Sequence, residues 1–258
     1  MRALGTVVLF ALLSLPLWSD AESTSAPAPG PAQVAPAQVL DRYVTAVQSQ
    51  ETHARPVSMD VDMDAKLPRL RKQGRFHAFR FMTRLGQILY GTPRYEGDNT
   101  IKKEVIGRFL QAEREARSEY AGSLTVTPAN YRFKFKGMDD YGGRPVYVFE
   151  VSPKKKLVGL YKGELWIDQQ TYLPLRHWGE LVKNPSLMVR HVYFVRDYYI
   201  CEGVSVPRRL ISEIETRLVG RANLTIWYDN VSVGQATPIT ASRGAALPDA
   251  QPGGGSHQ

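Results

Sequence analysis

Asp60, Asp62 and Asp64 alternate with Met59, Val61 and Met63. On a strand that spacing puts three carboxylates on one face, roughly 7 Å apart. Carboxylate oxygens are Ca²⁺ ligands, but a site here needs other strands to complete the oxygen shell. A solvated acidic face paired with cations across a neighbouring strand is the expected arrangement, and no metal site is assigned. His53, His77, His177, His191 and His257 are dispersed and form no close pair. The chain has no G-x-S-x-G elbow, no H-E-x-x-H, no Gly-rich phosphate loop before a helix and no Cys pair for zinc. Neither an enzyme nor a cofactor is expected.

The remaining signal is apolar. Tyr131, Phe133 and Phe135 alternate with Arg132, Lys134 and Lys136, which leaves one dry side. Phe79 and Phe81 share a side of their own strand, and Met59 and Met63 are flexible enough to line a space of variable shape. The candidate site is therefore an apolar ligand-binding face made of Met59, Val61, Met63, Phe79, Phe81, Tyr131, Phe133 and Phe135. Apolar cavities of this kind hold lipid-like ligands.

Strands must carry these side chains. The stretch from Tyr161 to Arg176 reads as strand, tight corner and strand, with Asp168-Gln-Gln-Thr as the corner and Pro174 beginning the second strand. Leu165 and Ile167 point one way, and Glu164, Trp166 and Asp168 the other. Val57 to Asp64, Arg75 to Thr83, Tyr131 to Lys136, Leu187 to Val195, Arg209 to Leu218 and Leu224 to Tyr228 alternate similarly. Val146 to Val151 is apolar on both sides. A short strand at Gln87 to Tyr90 is expected to break at Gly91-Thr-Pro. Two helices interrupt the pattern: one carrying Val39, Leu40, Tyr43, Val44 and Val47, and one from Ile101 to Tyr120. The fold class is α+β and mainly antiparallel β. About ten strands form a strongly curved, unclosed barrel whose apolar concave face is covered by the helices, since so wide a sheet curls.

Residues 1–21 have the layout of a cleaved signal peptide, with Arg2, an apolar run and a small-residue cleavage point. Residues 22–37 form an Ala/Pro-rich linker, 38–233 the domain, and 234–258 a tail without apolar periodicity. Export makes nucleic acid an improbable partner despite the net charge of +8. Lys154-Lys-Lys follows Pro153 at a strand end and reads first as a solvated hairpin tip, with a transient contact to an anionic membrane surface as the second reading. With one cysteine, Cys201, no internal disulfide forms, so stability rests on burial.

The succession Gly137, Gly143-Arg-Pro-Val-Tyr-Val, Pro153-Lys, Tyr161, Leu165-Trp-Ile-Asp, Leu173-Pro-Leu-Arg and Glu202-Gly-Val-Ser-Val-Pro resembles the LolA-like, outer-membrane lipoprotein-sorting superfamily. It is particularly similar to members related to the RseB/MucB regulators. The resemblance implies an unclosed antiparallel barrel with helices as a lid over a cavity for acyl chains. It also implies a soluble, monomeric periplasmic carrier for lipoprotein or other lipid acyl chains. The alternative is a sensor or protein-interaction module of the RseB/MucB type. With no cysteine near the leader a LolB-like lipid-anchored receptor is not expected, nor is a complete two-domain RseB-like regulator.

Overall fold

The computed structural model describes residues 34–119 and 124–234. The expected signal peptide, nearly all of the linker and the tail beyond Gly234 lie outside the described residues. Helix α1 (Pro36–Thr52) begins two residues inside the expected linker, with a proline in its first turn where a missing N–H costs nothing. Its apolar stripe buries Val39 and Tyr43.

Ten strands follow: β1 (Val57–Leu67), β2 (Lys72–Met82), β3 (Ile88–Gly97), β4 (Tyr131–Asp140), β5 (Pro145–Pro153), β6 (Tyr161–Asp168), β7 (Pro174–Leu181), β8 (Val189–Cys201), β9 (Val204–Thr216) and β10 (Arg221–Val233). They form one sheet in the order β3-β2-β1-β10-β9-β8-β7-β6-β5-β4. Every pairing is antiparallel, and β1 closes onto β10 with Val57 opposite Val233. The terminal strands β3 and β4 do not pair with each other, so the barrel is unclosed. Glu202 and Gly203, at φ 49° and 75°, make the two-residue turn between β8 and β9, where the right-handed strand twist favours positive φ at both positions.

One strand departs from expectation. Gly91-Thr-Pro does not end β3, which runs on to Gly97. A register shift opposite His77 and Phe79 absorbs the irregularity, with Thr92 at φ 47°. Because β3 is an edge strand, Pro93 need not donate to a further neighbour.

The second helical region also starts earlier than expected. Asp98 caps it by accepting from the Thr100 amide at 2.7 Å. It passes from α2 (Asn99–Ile101) through a π-helical stretch (Lys102–Gly107) into α3 (Arg108–Glu119). Ile101, Ile106 and Leu110 pack with Met59, Met63, Phe76, Leu224 and Ile226 in the main core. Gly74 permits the approach: a β-carbon there would lie 2.8 Å from Ile101 Cγ2.

Strand alternation separates an inner, helix-covered face from an outer one. Met59, Val61 and Met63 of β1 are inner and buried, whereas Asp60, Asp62 and Asp64 are outer. The sheet bends around its inner side chains. Laid flat, β2 and β8 would be about 19 Å apart at about 4.8 Å per strand, yet Glu113, which pairs with Arg80 of β2, also acts electrostatically on Arg196 of β8.

Candidate functional site

A tier of rings runs along the inner face from α1 toward the β4 edge. Centroid distances are 6.5 Å for Tyr43–Phe133, 6.2 Å for Phe133–Phe149, 5.2 Å for Phe149–Phe135 and 6.5 Å for Phe135–Tyr147. The tier ends on Tyr172, stacked on Tyr147 at 6.2 Å. Arg42 of α1 fixes that end: Nη1 donates to the Tyr172 hydroxyl at 2.7 Å, with the guanidinium 5.2 Å from the ring centroid. Phe149 is 1 % exposed and Phe135 37 %, so the tier is closed at depth and open at its rim.

Beside it lies a polar centre. His177 of β7 sits directly opposite Arg196 of β8. The His177 ring stacks on Tyr161 at 5.8 Å and tilts against Tyr198 at 5.2 Å, while Phe194 meets Tyr161 edge-on at 5.1 Å. Two atoms here, the Tyr161 hydroxyl oxygen and His177 Nε2, are inaccessible to solvent and have no hydrogen-bond partner. Burial first, and the Arg196 charge second, bring the His177 pKa down to about 3, so the ring is neutral near pH 7. The Tyr131 hydroxyl accepts from the Tyr161 amide at 3.2 Å, and burial pushes its pKa up to about 12. Tyr43 donates to the Val126 carbonyl at 2.8 Å, and burial raises its pKa also.

Arg196 is surrounded by protein, yet its side chain remains exposed. The guanidinium thus reaches water from crowded surroundings. The Tyr198 hydroxyl is its main partner, and the guanidinium carries its charge throughout the ordinary pH range. Among the described residues no carboxylate forms an ion pair with it.

The β1–β2 side is filled instead. Arg80, 3 % exposed, donates from Nη2 to Glu113 Oε1 at 3.0 Å. The Tyr90 hydroxyl donates to the other oxygen of Glu113, and Arg80 Nη1 lies 3.6 Å from Met59 Sδ. Arg80 and Glu113 thus draw α3 onto β2.

The candidate residues from the sequence divide three ways. Met59, Val61 and Met63 are inner but sealed beneath α2 and α3, at 0 to 2 % exposure. Phe133 and Phe135 belong to the tier, and Tyr131, on the same strand face, meets Tyr161 beside it at 5.7 Å. Phe79 and Phe81 are not brought together with the others, because they alternate with inward Ala78 and Arg80 and so lie half-buried on the outer face. Sequence reasoning missed Tyr43, Arg80, Tyr161, His177, Arg196 and Tyr198. A signal existed: Arg80 is in phase with Phe76 and Ala78, and Arg196 with Phe194 and Tyr198, so each strand carries a cation in its apolar register.

The outer carboxylates are occupied by protein partners. Asp60 accepts from Asn230 at 2.8 Å, Asp62 meets His77 at 2.9 Å, and Asp64 lies 3.2 Å from Lys66 and 3.5 Å from Arg75. No group able to hold a metal ion occurs among the described residues. Lys154, of the basic tip, donates to the Pro128 carbonyl at 2.5 Å. On the same face Trp166 joins Val146, Val148 and Leu175 in a second small core. Arg176 sits 4.6 Å from the Tyr141 ring and 5.4 Å from Trp166. Asp197 accepts from Arg176 at 2.7 Å and Arg209 at 3.0 Å; burial works to raise its pKa, but these hydrogen bonds hold it below the usual carboxylate range. No described helix is long and apolar enough to cross a membrane.

Comparison with solved structures finds similarity to an outer membrane lipoprotein-sorting protein domain from Vibrio parahaemolyticus, at 12% identity and TM-score 0.39 over 78% of this chain and 94% of that one. A LolA superfamily protein from Nitrosomonas europaea matches at 13% identity and TM-score 0.34, over 78% and 94% of the two chains. The Pseudomonas aeruginosa MucA/MucB complex matches at 12% identity and TM-score 0.26, covering 77% of this chain and 100% of that one. No curated protein matches in sequence. The MucB/RseB N-terminal domain family model matches residues 85–194. From β3 to the middle of β8, across both helix-bearing and aromatic parts of the inner face, the chain is therefore similar to the MucB/RseB N-terminal domain.

Proposed function

We propose that this chain is a non-catalytic, exported sensor of the MucB/RseB type: it binds a partner protein and receives an acyl-chain amphiphile on its inner face. The match to the MucB/RseB N-terminal domain model carries the reading. In that family MucB has been solved together with MucA, and a protein partner of the same kind is proposed here. The exposure of Phe135 at the rim of the ring tier and of Arg196 on the inner face supports the amphiphile part of the reading.

A second reading, a carrier that moves lipoprotein or lipid acyl chains through the periplasm, is favoured by one observation. The ring tier is continuous from the rim to Tyr43, as a path for a chain requires. Photo-crosslinking separates the two. With a benzophenone side chain at the exposed outer position Trp178 and another at Phe135, a sensor gives a discrete protein adduct whose yield changes when an acyl amphiphile is added. Lipid adducts at Phe135 without any protein adduct would replace the sensor by the carrier. No adduct with either would remove both.

A further inference from the structure

We propose that Arg196, the Tyr161 hydroxyl and His177 Nε2 form a head-group site for a carboxylate-terminated amphiphile whose chain lies along the ring tier. The inference rests on the reading of the inner face as an acyl-chain site and adds the chemistry of the head.

Three observations converge. Arg196 and His177 are cross-strand neighbours, Tyr161 stacks on His177, and the Arg196 charge acts on the Tyr161 hydroxyl, so the three polar ends share one part of the inner face. Two of the three ends have no partner although they are buried, and an unsatisfied buried polar atom costs roughly 1–3 kcal/mol. A ligand able to accept from the Tyr161 hydroxyl and from His177 in its Nε2–H tautomer recovers that cost. The third end is a guanidinium that no described carboxylate pairs with and that water reaches.

Charge selects the head. His177 is neutral near pH 7, and Arg80 is already paired with Glu113, so Arg196 supplies one positive charge. A carboxylate brings one negative charge and a planar pair of oxygens that fits the guanidinium fork. A phosphate monoester brings nearly two charges and leaves one of them buried without a partner. An uncharged alcohol leaves the cation unanswered. Position agrees with chemistry, for Tyr161 meets Tyr131 at 5.7 Å and Tyr43 reaches both Phe133 and, electrostatically, Tyr161. The head would lie where the tier begins, and the chain would run outward past Phe133 and Phe135.

The test is calorimetric titration of the full chain with dodecanoate, dodecyl phosphate and dodecanol. Dodecanoate should bind about tenfold tighter than dodecanol, the size of one charge-assisted pair. Arg196→Gln should erase the difference. Tyr161→Phe removes a hydroxyl that has no partner in the free protein, so its melting temperature should hold or rise while dodecanoate binding weakens several-fold and dodecanol binding does not. A variant that loses stability and binding of all three probes together would make Tyr161 structural and overturn the assignment. Equal affinity for dodecanoate and dodecanol would overturn the head-group site and leave the acyl-chain reading standing. Preference for dodecyl phosphate would overturn the carboxylate. Failure of all three to bind the unaltered chain would remove the acyl-chain reading itself.

Discussion

Arg80 of β2 and Glu113 of α3 form an ion pair of 3.0 Å whose cation is 3 % exposed. A helix is thereby held to the sheet by a charge that has almost no access to water. Such a pair is sensitive to the loss of one member, because the other is then left buried and uncompensated.

Glu113→Ala should lower stability by about 3–5 kcal/mol in urea or guanidinium unfolding. Amide exchange should quicken from Val105 to Ala112, since α3 loses its anchor to Arg80 and Tyr90, while Val146 to Val151 of β5 stays protected. A change below about 0.5 kcal/mol with unaltered exchange would show that the apolar contacts of Ile106 and Leu110 hold the helix unaided.

Phe133→Asp should abolish binding of a fluorescent fatty acid while the far-ultraviolet circular dichroism survives. Phe133 is half-buried between Tyr43 and Phe149, and a carboxylate placed at the open part of the tier can still reach water. Outright unfolding would make Phe133 a core residue and move the binding face elsewhere.

Trp166→Ala should lower the melting temperature, with a loss at the lower end of about 3–5 kcal/mol because the ring is only half-buried. The ring covers Val146, Val148 and Leu175, stacks with Arg176, and donates its N–H to Glu164 at 3.0 Å. Acyl-probe binding should persist, since this core faces away from the tier. Unchanged stability with lost binding would reverse the assignment.

His177 makes stability depend on pH. The unfolded chain binds a proton at this ring near pH 6.5, whereas the folded one resists until about pH 3. Between those values the unfolded state holds more protons, so stability falls as the pH falls. His177→Phe should flatten that segment, giving a smaller difference between urea midpoints at pH 7 and pH 4 than in the unaltered protein. An identical difference in both proteins would show that the ring accepts a proton without unfolding.

Ten strands and two helical regions follow directly from alternation and helical spacing, and so does the inward placement of Tyr131, Phe133 and Phe135. Legibility failed where the informative contact lies across strands. Phe79 and Phe81 look like ligand residues along the chain, but the register that sets Asp60 opposite Phe79 puts both with the outer carboxylates. His177 looked solitary because its partners, Tyr161, Arg196 and Tyr198, come from two other strands. Phase of a charged residue within an apolar register is readable in one strand. The meeting of several such residues depends on sheet order and bend, which no local pattern encodes.

The pairing of β1 with β10 joins segments from opposite ends of the domain. A chain emerging amino-terminus first from an export channel would present β1, β2 and β3 long before their remaining neighbour has crossed. Until then the β1 side of that hairpin group is a bare edge, able to pair with other chains. Long-range closure of this kind is slow and leaves intermediates open to aggregation. Truncation before Arg221 should therefore yield insoluble protein rather than a smaller working domain, and the last strand sets the moment at which the molecule becomes safe from self-association.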